Sequence, residues 1–249
     1  VALPWDATTA APSEDVFTLK VASATLAGAP NFAKGSWPAL DREYTTQVRG
    51  HFARDAAFAT ASSSPWCSVS KIVGSKVVND NAEKLGSIED LVFNKDGKIS
   101  YVVLSSGGFL GMGDKYFAIP WSQLRRGADE SFVLNRDKAN LKDAPGFDKS
   151  NWPDMADASW SNDVDRYYGA TNTADKSWGG KASELRTADL KNASGAKIGT
   201  VEDIVVDPNN GRAVLVVVRT EKSVEPKNRC VAVPWNAMTG MPMDHAFVL

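Results

Sequence analysis

Histidine and cysteine are nearly missing from the 249 residues, with two of each, at His51, His245, Cys67 and Cys230. They lie far apart and fit no zinc, haem or iron-sulfur spacing, so a metal centre built from them is not expected. A basic excess is missing too. The 28 Lys and Arg stand against 30 Asp and Glu, a formal net charge of −2 with a pI near 5.8. Nucleic-acid-binding domains commonly show a pI above about 9, so nucleic acid is not an expected partner. No apolar run approaches the roughly 18 residues of a membrane helix, and the start Val1-Ala2-Leu3-Pro4-Trp5 has no charged n-region or apolar h-region. The visible chain therefore carries no transmembrane segment of its own and no signal peptide. A Gly-x-Ser-x-Gly nucleophile elbow is also missing.

What is present is repetition. Ser70–Gly86 aligns without gaps on Ser183–Gly199, and Ser87-Ile88-Glu89-Asp90-Leu91 continues onto Thr200-Val201-Glu202-Asp203-Ile204. Each copy then reaches a turn, Asn94-Lys95-Asp96-Gly97 in the first and Asp207-Pro208-Asn209-Asn210-Gly211 in the second. Beyond the turn, Ile99–Leu104 matches Ala213–Val218, and Ala118-Ile119-Pro120-Trp121 matches Ala232-Val233-Pro234-Trp235, a period of about 114 residues. Such a period defines the architecture more firmly than local propensity. A third, partial copy begins at Ala2-Leu3-Pro4-Trp5. In it Phe17-Thr18-Leu19 corresponds to Phe132-Val133-Leu134 and to Phe247-Val248-Leu249. The connectors repeat as well, since Ala29-Pro30-Asn31-Phe32 with Trp37-Pro38 matches Ala144-Pro145-Gly146-Phe147 with Trp152-Pro153.

Within one repeat the apolar stretches Ile72–Val78, Gly86–Phe93, Ile99–Leu104, Tyr116–Pro120 and Phe132–Leu134 are short and separated by turn residues, which predicts about five strands. Asp96-Gly97 predicts a hairpin. Ile99–Leu104 is apolar at nearly every position, so both of its faces should be covered. The cover is predicted in the connectors. Leu40, Tyr44, Val48 and Phe52 recur at four-residue spacing, and Met155, Trp160, Val164, Tyr167 and Tyr168 lie near helical spacing between Pro153 and Gly169.

The expected fold is mainly β, with two small antiparallel barrels in tandem, short amphipathic helices in the connectors and a partial third repeat at the N-terminus. Residues 1–20 are the closing strands of the partial repeat, and 21–69 a connector with a helix over about 38–52. Residues 70–136 form the first barrel, 137–182 a connector with a helix over about 153–168, and 183–249 the second barrel.

The run Lys84–Leu91, followed by Asp96-Gly97-Lys98, an apolar strand, Gly107-Gly108-Phe109-Leu110-Gly111-Met112-Gly113 and Ala118-Ile119-Pro120-Trp121, resembles the PRC-barrel domain. That small barrel occurs in the H subunit of purple-bacterial photosynthetic reaction centres and in a ribosome maturation factor. The Gly-Gly-Phe-Leu-Gly loop and the Phe147–Pro153 connector resemble the exported branch of bacterial PRC-barrel proteins. The resemblance implies a binding or assembly module without catalytic residues, cofactor or metal. Its partner would be another protein or a second copy, including a membrane protein complex. It further implies a periplasmic or extracellular site, or else the cytoplasmic face of a membrane complex for an H-subunit-like component. The second full copy has Glu221–Lys227 in place of Gly107–Gly113, so a role of the Gly-rich hairpin is not shared.

The candidate interaction residues are Phe109, Leu110 and Met112 at the hairpin tip, and Trp37, Trp152 and Trp160 in the connectors. Gly108–Lys115 lacks a Gly-Lys-Ser/Thr ending and leads into a strand, so a phosphate loop is not expected. Glu89-Asp90 and Glu202-Asp203 recur as acidic pairs, but neighbours on a strand face opposite ways, and a structural role is expected. Asp154, Asp157, Asp163 and Asp165 lack calcium-loop spacing and should form a solvated helix face. His51 takes the slot of Tyr167 and should pack rather than act as a base. Residues 1–20 need a barrel to close. The favoured source is a longer native polypeptide, then strand donation between subunits, then an intact barrel of this chain, with Leu3 and Phe17 buried against a sheet outside their own segment.

Overall fold

The computed structural model describes residues 16–19, 23–52, 66–106, 115–127, 129–155, 157–170 and 178–239. The N-terminal part contributes strand β1 (Val16–Leu19), strand β2 (Asn31–Phe32) and helix α1 (Arg42–Phe52). The first full repeat runs through β3 (Cys67–Ser68), α2 (Val69–Ile72), β4 (Lys76–Val78), β5 (Lys84–Asn94), β6 (Ile99–Ser106), β7 (Lys115–Pro120), β8 (Leu124–Arg126) and β9 (Phe132–Leu134). Its connector holds α3 (Lys138–Leu141), β10 (Gly146–Asp148) and α4 (Ala158–Tyr168). The second repeat follows with β11 (Trp178–Lys181), α5 (Ala182–Leu185), β12 (Asp189–Lys191), β13 (Lys197–Asp207), β14 (Arg212–Thr220), β15 (Cys230–Pro234) and β16 (Met238–Thr239).

The strands form two eight-stranded sheets, ordered β10-β7-β6-β5-β4-β9-β8 with β11 added to β5, and β16-β1-β12-β13-β14-β15-β2 with β3 added to β13. Each is mainly antiparallel, and among the described residues its ladder does not close on itself. Two pairs are parallel, β4 with β9 and β1 with β12. A parallel neighbour needs a long crossover, and here the whole meander from β5 to β8 provides it for β9.

The strand expected over Ile72–Val78 is divided. Its first residue closes the short helix α2, where the Val73 backbone nitrogen donates to Val69 at 2.9 Å, and the strand begins only at Lys76. The connector helices are shorter than expected, starting at Arg42 and Ala158. Asp157 caps α4 by accepting from the Ser159 nitrogen at 2.7 Å, which places the helix start past Trp152-Pro153. Helix α4 lies against β7, and α1 against β15. Ile99–Leu104 is buried at every position, and Trp160 of α4 packs edge-on against Tyr101 with centroids 5.4 Å apart.

Spatial grouping departs from chain order. The N-terminal closing strand is not left for another polypeptide: β1 inserts between β12 and β16 of the second repeat. Next, β2 pairs with β15 as β10 pairs with β7. Residues 16–52 thus supply the second barrel with the closing strand and connector that the first barrel takes from its own downstream chain. Leu3 and the side chain of Phe17 lie outside what is described.

Candidate interaction surface

The two barrels meet through their hairpins. In the β5–β6 turn, Asn94 accepts from the Lys98 nitrogen at 2.8 Å, and in the β13–β14 turn Asp207 accepts from the Asn209 nitrogen at 2.9 Å. The tips then bond to each other. Ile99 donates its backbone N–H to the Gly211 oxygen at 2.8 Å, and Ala213 donates to Gly97 at 2.7 Å. Each tip lies under the other repeat's tryptophan. A Cβ on Gly97 would come within 2.3 Å of the Trp235 ring, and one on Gly211 within 2.8 Å of Trp121. Both glycines have positive φ, 74° and 69°. Turn shape and inter-repeat contact therefore place the same demand for glycine on these positions.

The repeated acidic pairs belong to this junction. The β5–β6 register shifts between Ile88 and Asp90, and the β13–β14 register shifts between Val201 and Asp203, a matching bulge in each repeat. Asp90, 5% exposed, accepts from the Ser183 nitrogen at 3.2 Å and from its hydroxyl at 2.6 Å, within α5 of the other repeat. Asp203, 1% exposed, accepts from the Ser70 nitrogen at 3.2 Å within α2, and Arg186 Nε lies 3.4 Å away. Burial pushes both carboxyls above their ordinary value, with these hydrogen bonds working in the opposite direction. The expected structural role is met as a reciprocal helix cap between repeats. Glu89 points to solvent, while Glu202 pairs with Arg219 and lies 3.1 Å from Lys34. Burial alone would raise the Glu202 carboxyl, but the hydrogen bonds from Arg219 and Lys34 outweigh it and hold it below its ordinary value.

The tryptophans differ in their surroundings. Trp152 packs on Phe147 and Tyr116 with centroids 5.2 and 6.0 Å away, and the Lys181 ammonium sits 5.0 Å over the ring. Trp160 is half-buried on Tyr101. Both are taken up by internal packing. Trp37 stands on Phe32 at 5.4 Å, and at 38% it is the exposed large hydrophobic side chain among the described residues. Its repeat position lacks the Tyr116 ring, because Cys230 stands there. Lys34 lies beside it in sequence, and Arg229 Nε donates to Asn31 at 3.1 Å. The result is a partly exposed indole packed on β2, the end strand of its sheet. Phe109, Leu110 and Met112 lie outside the described residues.

The acidic connector is only partly a solvated face. Asp163 pairs with Arg166 at 2.7 Å on the surface, but Asp165 is 8% exposed, turned inward by the helix phase it shares with Val164 and Tyr168. His51 packs edge-on against Phe52, and its Nε2 lies 2.5 Å from the Thr25 carbonyl oxygen. That oxygen can only accept, so Nε2 carries the proton. Tyr167 likewise donates its hydroxyl to the Asn140 carbonyl. Each side chain ties its connector helix to the turn after the closing strand. A cleft of about 370 Å³ borders Asn135, Arg136, Asp137, Asn140 and Tyr167, where Arg136 donates to the Tyr168 carbonyl at 3.1 Å.

The PRC-barrel domain family matches the chain over residues 68–140 and 180–244, more than half its length. The chain belongs to the PRC-barrel family, with two such domains in tandem. A search of curated proteins found no match. No helix among the described residues is long and apolar enough to cross a membrane. The family match defines the domain and gives no support to the reaction-centre role that the resemblance raised.

Proposed function

We propose that this protein is a non-catalytic assembly scaffold that presents the Trp37 edge of its second barrel to a protein partner. The observation that carries the reading is the use made of the repeated carboxylates. Asp90 and Asp203 are held on the other repeat's helix start instead of converging on an open site. Trp37 supplies the complementary feature, since exposed aromatic side chains are enriched as anchors at protein interfaces. The reading extends to an extracytoplasmic location, on the strength of the likeness to exported PRC-barrel proteins.

The test is affinity capture from native extracts with the full chain and with a Trp37→Ala chain, each checked for folding by circular dichroism. A defined partner held by the first and lost from the second supports the scaffold reading. Equal retention by both would remove Trp37 from it. Cell fractionation tests the location.

A further inference from the structure

The two hairpin tips that join the barrels share a chemical feature beyond their glycines. Each glycine follows a residue whose side-chain carbonyl carbon is within reach of the glycine's own backbone nitrogen, Asp96 before Gly97 and Asn210 before Gly211. Glycine carries no Cβ to hinder such an attack, and asparagine is among the thermolabile residues of a protein. An amide is a far better target than a carboxylate. The turn itself does not demand asparagine, since the other tip has Asp96 before its glycine.

The Asn210 tip is fastened against this reaction. The Gly211 nitrogen donates to the Asp207 carbonyl at 2.8 Å, and Asn210 Nδ2 donates to Asp207 Oδ2 at 3.2 Å. Both the attacking and the leaving nitrogen are thus held by Asp207. Asn210 Oδ1 accepts from the Arg212 nitrogen at 2.9 Å. Across the junction, the Gly211 carbonyl accepts from the Ile99 nitrogen at 2.8 Å, and a Cβ on Gly211 would meet the Trp121 ring at 2.8 Å. Asn210 is exposed to water while Gly211 is buried. The docked barrels leave the tip no room to change shape.

We propose that Asn210-Gly211 is a self-modification site, with water as co-reactant, that the docked barrels keep closed. When the tip opens, the Gly211 nitrogen bonds to Asn210 Cγ and the Cγ–Nδ2 bond breaks. Ammonia leaves with the proton that Gly211 gives up, and a cyclic imide remains. Water that breaks the imide bond to Cγ leaves aspartate. Water that breaks the bond to the Asn210 backbone carbonyl carbon leaves isoaspartate, whose main chain runs through the side-chain carbon and is longer by that atom. The longer chain shifts the Gly211 carbonyl away from Ile99 and its N–H away from Asp207, and the tip no longer fits under Trp121. An opening that reacts therefore becomes permanent. The rate is the intrinsic rate multiplied by the open fraction, so the site records how often the barrels part. Trp37 takes no part in it, and the scaffold reading and this one can fail separately.

The full chain is incubated at neutral pH, folded or in guanidinium chloride. Conversion of Asn210 is followed by peptide mass mapping and an isoaspartate-specific methyltransferase. The unfolded chain should convert about tenfold or more faster than the folded one. Trp121→Ala, which uncovers Gly211 and removes none of the tip's hydrogen bonds, should speed conversion of the folded chain several-fold. Asp90→Ala, which loosens the same junction elsewhere, takes its place if circular dichroism shows Trp121→Ala unfolded. The isolated isoaspartate form should unfold at lower denaturant than an Asn210→Asp chain, which carries the same charge without the longer backbone. Equal conversion in folded and unfolded chains would overturn the closed gate, and an unfolded chain that keeps Asn210 intact would overturn the site. A loosened junction with the parent's rate would overturn the role of docking, and equal stability of the two acidic forms would overturn the effect on the junction.

Discussion

The Asp90 carboxylate holds Ser183 at two points, the backbone nitrogen at 3.2 Å and the hydroxyl at 2.6 Å, across 93 residues of chain. Asp203 answers by holding the Ser70 nitrogen at 3.2 Å. Around each contact the leading strand of one repeat adds to the long hairpin of the other, β11 to β5 and β3 to β13. The barrels are interlocked at their entrances as well as at their hairpin tips, so neither should unfold alone.

Replacing Asp90 by Ala leaves the first backbone donors of α5 without their acceptor in a buried place. Loss of a buried acceptor costs about 1–3 kcal/mol, and loss of a helix cap about 1 kcal/mol. Asp90→Ala and Asp203→Ala should each lower stability by about 1–3 kcal/mol in urea titrations, with the two barrels still melting in one transition. Two separate transitions in the parent chain would contradict the interlock.

Both carboxyls are raised above the ordinary 3.8, burial being the largest cause. The folded protein therefore binds these protons more tightly than the unfolded chain does. Their contribution to stability is fully present below the unfolded value and is lost as pH rises through the raised one. Against an Asp90→Asn/Asp203→Asn chain, which does not titrate there, the parent's relative stability should fall as pH rises above the ordinary carboxyl value. A relative stability that climbs over that range would reverse the sign.

Gly97 and Gly211 carry a double constraint. The left-handed conformation costs a non-glycine residue about 1–2 kcal/mol. The added methyl would also press on Trp235 or Trp121. Gly97→Ala should cost more than about 2 kcal/mol, and in combination with Trp235→Ala the cost should be less than additive. A double-mutant cycle in denaturant measures the coupling. Strict additivity would mean that the tip does not lie under the indole.

Repetition made most of this fold legible. Phe132–Leu134 and Ile99–Leu104 lie in strands, because β-branched runs between turn residues have few other uses. Ile72 misled, because the signal for α2 is Asp203, a residue of the other repeat that local pattern cannot bring near. Asp165 misled in a similar way, since a carboxylate in a polar stretch reads as surface until the phase of the helix is known. The seat of β1 was visible only as one of three options, because identical closing strands do not say which barrel each one completes. Trp37, Trp152 and Trp160 looked alike in sequence. Exposure at Trp37 arises from Cys230 standing where the other barrel has Tyr116, a difference that aligning the repeats reveals only once the ring contacts are known.

That difference predicts unequal costs. Trp160 packs on the fully buried Tyr101, and Trp160→Ala should lower stability by about 2 kcal/mol or more. Trp37→Ala removes a ring that is 38% exposed and packs on Phe32 from one side, and should cost less than Trp160→Ala. Thermal melts of the two variants check the contrast. A large loss for Trp37→Ala would mark it as core, not surface.

The two thiols should separate by reactivity. Both are free, Cys67 half-buried on β3 and Cys230 only 3% exposed on β15. Burial, with Glu202 adding to it, pushes the Cys230 thiol up, and the thiolate is the reactive species. Under native conditions iodoacetamide should label Cys67 first, with Cys230 slower by about tenfold or more, followed by intact-mass and peptide mapping. Helix α1 covers β15, so Cys230→Ala should leave the Cys67 rate unchanged, whereas releasing the 16–52 module should bring the Cys230 rate up toward it. Equal rates in the parent chain would mean that the module leaves its seat faster than labelling proceeds.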